Sequence, residues 1–367
     1  MSNKIKTDKI FAFIVFLLIS FGSFLFLSAS MGLLAKDNGN FLNVFLKQIG
    51  FGLGGGLILM FFLSRLDYRK YKKYAFYIFL GSLIMSCLVF VPGIGFEHGG
   101  AKRWLDIFGF SFQPAELLKI SFVVYFAAFL SAFKSKLNDW KYSILPILIL
   151  LSFVAALSFF QPDYGTLVII IITAFGMLLT AEVNFKHLSI IIGSATLAVI
   201  PLALYKTYII ERLLTFLRPA QDALGASYQI NQSLVAIGSG GFWGKGFGKS
   251  VQKFGLLPEP MGDSIFAVTA EEWGFVGCLF LITLFLLFAI RGLRIATHST
   301  DVFGRLLAIG IVILIVSQSF INIASMLGIF PMIGMPLIFV SQGGTALLFA
   351  LAEVGILLNI SKYSKQK

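Results

Sequence analysis

The chain has 367 residues, of which 58% are hydrophobic and only 13% charged, with a formal net charge of +12. Soluble domains carry roughly 25% charged residues, so this composition excludes a soluble enzyme, a secreted disulfide scaffold and a disordered tail. What remains is a polytopic membrane protein, for which lipid is the solvent.

Apolar runs recur at about 10–34, 41–63, 75–92, 115–133, 143–160, 164–181, 188–205, 265–290, 306–327 and 342–361. Each predicts a helix, because a helix satisfies its own backbone groups where no water is available. The expected fold is all-α, with ten transmembrane helices. The first run is too long for a cleaved leader and reads as a retained span. Ten spans of about 20 residues fill roughly 200 positions, so 1–367 reads as a single transmembrane domain. Between spans seven and eight lies a long loop, 206–264. Its apolar spacing predicts helices over 207–217 and 227–237, followed by the Gly-rich stretch 238–248. This pattern predicts a folded cap on the outer membrane face.

Orientation follows from the bases. With both termini cytoplasmic, 18 of the 29 Lys and Arg fall on inner segments, including Lys4, Lys6, Arg65, Arg69, Lys70, Lys72, Lys73, Lys365 and Lys367. Five fall on short outer segments and six, Lys206 among them, in the long loop. Membrane topology thus accounts for the basic charge without nucleic acid. Cys87 and Cys278 lie in apolar runs and imply no disulfide, and His98, His187 and His298 lack metal-ligand spacing.

Charges at membrane depth are functional candidates. Glu116 and Lys119 are spaced i,i+3 and share a helix face. They either neutralise each other or wall a polar cavity, with Lys119 open to an anionic headgroup. Asp163 starts span six. Asp263 follows Pro258-Glu259-Pro260-Met261-Gly262 and reads either as a helix N-cap or as a partly desolvated general base. Glu271 lies two turns further on, with Glu272 facing the opposite way; Glu353 lies in span ten. Gly248-Lys249-Ser250 fails as a P-loop, because position 243 is Trp where Gly is required. The glycines with Lys245 and Lys249 either cradle a phosphate through backbone N–H groups or merely connect. Lys102 and Arg103 lie beside Trp104 in an outer loop; they suit either an anionic headgroup or plain lipid anchoring.

These motifs resemble the SEDS family of FtsW, RodA and SpoVE. The resemblance rests on Gly100-Ala101-Lys102-Arg103-Trp104, Gln113-Pro114-Ala115-Glu116-Leu117-Leu118-Lys119, Gln161-Pro162-Asp163-Tyr164-Gly165-Thr166 and Tyr228-Gln229 through Gln232-Ser233. It extends over Leu257-Pro258-Glu259 with Asp263 and Ile265-Phe266-Ala267-Val268, Glu271-Glu272, Pro336-Leu337 and Phe339-Val340-Ser341-Gln342-Gly343-Gly344. The tract 244–253 is more similar to FtsW than to RodA. Departures are Met261-Gly262 where His-Thr is usual, Gln342 where Tyr is usual, and Glu353.

The resemblance implies a multi-pass protein of the bacterial cytoplasmic membrane that polymerises lipid II into glycan strands, releasing undecaprenyl pyrophosphate. The implied partners are a class B penicillin-binding protein, divisome or elongasome proteins, lipid II and membrane lipids. The family's catalytic Asp maps onto Asp263. Lys102, Arg103, Gln113, Glu116, Lys119, Asp163, Lys245, Glu259, Ser341 and Gly343 are the expected substrate-binding positions. No ligand cluster demands a metal, although Mg2+ or Mn2+ bridging the pyrophosphate is compatible with the sequence. A lipid II flippase is the alternative from another class, and an oligomeric division scaffold is a third.

Overall fold

The computed structural model describes residues 7–36, 38–98, 101–107, 110–205, 207–218 and 227–364. Lys4, Lys6, Lys206, Lys365 and Lys367, which entered the charge asymmetry, and the Gly100 that opens the basic motif lie outside the described residues.

Helix forms at every apolar run. In chain order these are α1 (Lys9–Lys36), α2 (Asn38–Leu46), a π-helical segment (Lys47–Gly55), α3 (Gly56–Arg65) and α4 (Arg69–Leu88). They continue with α5 (Pro114–Ala132), α6 (Ile144–Phe160), α7 (Tyr164–Thr180) and α8 (Phe185–Tyr205). The 206–264 segment contributes α9 (Thr207–Leu217) and α10 (Tyr228–Gly240), at the two places where apolar spacing foretold them. Then come α11 (Ile265–Thr297), α12 (Val302–Met326) and α13 (Gly344–Tyr363). Among the described residues, 6 helices are long and apolar enough to cross a membrane: α1, the α2–π–α3 rod, α5, α11, α12 and α13. At 17 residues each, α6 and α7 are apolar but short. Helix α4 opens with Arg69, Lys70, Lys72 and Lys73, which pulls down its mean hydropathy.

The all-α expectation needs one correction. A three-stranded antiparallel sheet, β1 (Gly95–His98), β2 (Ala101–Ile107) and β3 (Phe110–Phe112), fills the connection between α4 and α5. Gly95 pairs with Leu105 and Phe96 with Trp104, and a bulge separates Phe96 from Glu97. The cause is legible afterwards: in Lys102-Arg103-Trp104-Leu105-Asp106 the exposed Lys102 and the buried Leu105 alternate as a strand requires.

Helices α12 and α13 are the most enclosed, while α1 and α11 expose Phe13, Phe16, Phe275 and Ile290 on their outer faces. Helix α3 packs on α13 at glycine distance. A Cβ on Gly56 would come within 2.6 Å of Leu351 Cδ1, and one on Gly355 within 2.5 Å of the Met60 carbonyl oxygen. Without a hydrophobic drive between helices in lipid, such close van der Waals approach is what joins them. Gly355→Val should therefore push the pair apart, costing about 1–3 kcal/mol, and lower the thermal midpoint of the detergent-solubilised protein. An unchanged midpoint would mean that the contact is slack.

Candidate functional site at the head of helix α11

Asp263 lies one residue before Ser264, the cap of α11. Its carboxylate is therefore not engaged on the first amides of the helix, and the N-cap reading gives way. The side chain is half-buried and opens onto a narrow recess formed with Asn322, Ser325, Met326 and the turn 332–335. That recess is shallow, its volume of about 190 Å³ being counted together with the open space at its mouth. Burial pushes the Asp263 carboxyl up to about 6, helped by the like charge of Glu259 and opposed by Arg212 and Arg103.

The chain around Asp263 is fixed from several directions. Asn322 Nδ2 donates to the Asp263 carbonyl (2.9 Å) and to the Met335 carbonyl (2.7 Å). With its nitrogen so placed, Asn322 Oδ1 is left buried without a partner. Gly334 adopts φ +66°, and a Cβ there would stand 3.5 Å from both Arg212 guanidinium nitrogens Nη1 and Nη2 and 3.6 Å from Asp263 Oδ2. Those are ordinary contact distances, so it is the left-handed backbone that favours glycine here. Arg212 Nη1 in turn donates to the Met332 carbonyl at 2.5 Å. Ser341 Oγ donates to the Gly262 carbonyl (2.7 Å), and Gln342 N to that of Met261 (2.7 Å). Exposed Glu259, at φ +48°, receives the amides of Gly262 and Ser264 on its carbonyl, which closes the turn.

The remaining sequence candidates divide between the neighbourhood of this turn and separate networks. Arg103 on β2 donates through Nε to the Gln161 carbonyl (3.1 Å) and through Nη2 to that of Pro162. That places it in the electrostatic surroundings of Asp263 while tying the sheet to α7. Lys102 is exposed and half-buried Gln113 precedes α5. Asp163 caps α7, accepting from the backbone and hydroxyl of Thr166. Gly343 lies in the turn that carries Ser341.

Glu116 and Lys119 form a buried ion pair at 2.9 Å, and Lys119 Nζ also donates to Gln318 Oε1 at 2.6 Å. With Lys119 only 1% exposed, the neutralising alternative holds and an open face toward a headgroup is absent. Gln318 Nε2 reaches the Pro336 carbonyl (3.1 Å), which links this pair to the wall of the recess. Glu353 is buried within the field of the same pair.

The Gly-rich segment is an anion cradle, but its anion belongs to the chain. Glu271 accepts from Ser250 Oγ (2.5 Å), Val251 N (3.2 Å) and Gln252 N (3.3 Å), and pairs with Lys245 at 2.7 Å. Glu272 pairs with fully buried Lys253 at 2.7 Å and accepts from Ser28 Oγ at 2.5 Å. The pair gives Lys245 a partner in Glu271 while its side chain stays exposed. Helix α11 breaks at Gly274 (φ +63°), where a Cβ would lie 2.3 Å from Gly244 N.

Four residues at this site escaped the sequence reading: Arg212, Gln48, Gln318 and Asn322. Attention to charge alone passed over the three amides, each costing several kcal/mol when buried unpaired, and Arg212 entered only as part of the charge of the long loop. Among the described residues, no three His, Cys, Asp or Glu side chains gather as metal ligands.

The cell cycle protein model FtsW/RodA/SpoVE matches residues 8–366. Stage V sporulation protein E of Bacillus subtilis is 34% identical over 99% of both chains. A probable peptidoglycan glycosyltransferase FtsW of Geobacter sp. strain M18 is 37% identical over 96% of both. In three dimensions the chain is similar to a chain of a peptidoglycan synthase complex (TM-score 0.78, 28% identity, 98% of this chain and 99% of that one). It is also similar to the rod shape determining protein RodA of Thermus thermophilus (TM-score 0.71, 27% identity, 98% of each).

Removing one member of a buried ion pair strands the other at a cost of about 3–5 kcal/mol. Lys253→Met and Glu272→Leu should each lower the thermal midpoint sharply. The double variant Lys253→Met/Glu272→Leu should recover much of that loss. Additive losses in the double variant would show that the two side chains are not coupled.

Proposed function

The chain belongs to the FtsW/RodA/SpoVE family and is a peptidoglycan glycosyltransferase, and from that premise we propose that Asp263 is the general base of lipid II polymerisation. In this reading ten helices span the bacterial cytoplasmic membrane with both termini inside, and the 206–264 segment caps its outer face. The GlcNAc 4-hydroxyl of the acceptor attacks C1 of the donor MurNAc. The bond from C1 to the pyrophosphate oxygen breaks, undecaprenyl pyrophosphate leaves, and the hydroxyl proton passes to an Asp263 oxygen. Attack from the face opposite the leaving group inverts C1.

One observation carries the assignment: among the described residues, Asp263 is an acid that opens onto a recess with no hydrogen bond or ion pair holding its carboxylate. Glu116, Asp163, Glu271 and Glu272 all have carboxylates engaged by hydrogen bonds or ion pairs. Asp263 faces a recess instead, with its ionisation raised toward neutrality, where a base works best. Arg212 and Arg103 supply positive charge at that mouth and would offset charge developing on the pyrophosphate. Apolar outer faces such as Phe13 and Phe16 are suited to lipid and polyprenyl tails. A class B penicillin-binding protein is the proposed partner, acting on the strand once it is made. A flippase finds less support, because the deep charges Glu116 and Lys119 are closed on each other.

Asp263→Asn should reduce strand formation from labelled lipid II by about 10²–10⁴-fold, the usual worth of a general base. Undiminished polymer would remove the assignment. The base must be ionised, so the wild-type rate should rise with pH through about 6 and be lost below it. Glu259→Gln removes a like charge and should move that limb to lower pH; Arg212→Met removes an opposite charge and should move it higher. A limb that stays in place in both variants would show that another group titrates.

A further inference from the structure

We propose that Gln48 is a positioning residue for Asp263, acting across the molecule through the 341–343 turn. Gln48 is the second residue of the π-helical segment, in the membrane-length rod that runs from α2 into α3, and is 4% exposed. A buried amide in a lipid-crossing helix is a cost unless both its ends are used, and here both are. Nε2 donates to the Ser341 carbonyl at 3.1 Å, and Oε1 accepts from Gly343 N at 2.9 Å. The far side of the same turn grips the approach to Asp263: Ser341 Oγ donates to the Gly262 carbonyl and Gln342 N to that of Met261, each at 2.7 Å. Two hydrogen bonds on one side of three residues are thus met by two on the other, and the second pair ends next to the base.

Local sequence explains why Gln48 can reach. The segment that follows reads Gly50-Phe51-Gly52-Leu53-Gly54-Gly55, and a Cβ on Gly52 would lie 3.0 Å from Gly344 Cα. Backbones therefore approach closely enough for one glutamine to span the gap. The π turn belongs to a class of helix irregularity that clusters at functional sites. Replacing Gln48 by an apolar residue would leave the Ser341 carbonyl and the Gly343 amide unpartnered in a buried place, and the turn would shift to satisfy them. Asp263 would shift with it relative to Arg212, Arg103 and Glu259, the charged groups that surround it. The inference rests on Asp263 as the base.

The test uses purified full-length protein with its class B penicillin-binding partner and a titration of lipid II. Gln48→Leu should lower kcat roughly ten- to hundredfold, as a misplaced catalytic group does, while KM stays within about twofold. The rising limb of the pH profile should move away from its wild-type position, because the distances to Arg212 and Glu259 change. Gln48→Glu, which keeps the acceptor for Gly343 N, should recover part of kcat. If Gln48→Leu does not fold, Ser341→Ala carries the test: it leaves the glutamine bonds and removes the tie to Gly262, and should give the same kcat loss and limb displacement. Full activity in Gln48→Leu overturns the proposal. So does a loss that tracks the folded fraction with the limb unmoved. The two readings fail separately. An active Asp263→Asn protein removes the base, whereas an inactive one beside a fully active Gln48→Leu removes only the positioning role.

Discussion

A polar group out of reach of water must be satisfied by the protein itself, and that constraint organises this molecule. An unpaired charge or amide in a dry interior costs several kcal/mol, so each buried one marks a place where two segments are obliged to meet. Glu272 obliges α11 to meet Lys253 and the Ser28 turn of α1; Glu116 and Lys119 oblige α5 to meet Gln318 on α12. The helices supply most of the buried surface, but the polar pairs set which register they take. Leucine against leucine would tolerate several.

The site follows from the same rule applied in reverse. At the head of α11 one carboxylate stands at a recess with its backbone fastened and its side chain open. Fastening and openness come from different elements: the carbonyls of residues 261–263 are taken by Gln342, Ser341 and Asn322, while the side chain faces the turn 332–335. The proposed base is thereby held through its main chain and left open at its side chain.

Much of this was legible in the sequence, and the reason is scale. A run of about 20 apolar residues is an unambiguous helix signal, so helices appear at every expected run, and α9 and α10 at the spacings that foretold them. Asp263 was legible because a charge at the edge of a span stands out. The sheet at 95–107 was missed because its alternation is short and sits inside a stretch conspicuous for its bases. The partner of Lys245 was not legible for a related reason: sequence does not say that Glu271, twenty-odd residues on, pairs with it and accepts from Ser250, Val251 and Gln252. Gln48 and Asn322 were invisible because an amide among apolar residues carries no period and no charge. Only the fold says what it reaches.

The clasp of the 245–253 segment on Glu271 and Glu272 bears on mechanics as well as on stability. Lys245, Ser250 and Lys253 grip the two turns of α11 just below Asp263, and Gly274 interrupts the helix immediately beneath that grip. The strap also spans the break: Phe275 N donates to the Gly241 carbonyl and Val276 N to that of Phe242, while Lys245 N and Gly246 N donate to the carbonyls of Glu271 and Glu272. Both sides of Gly274 are thus laced to one segment, whose exposed rings are Phe242 and Trp243. The interrupted helix is splinted there and keeps its line without a continuous ladder of its own.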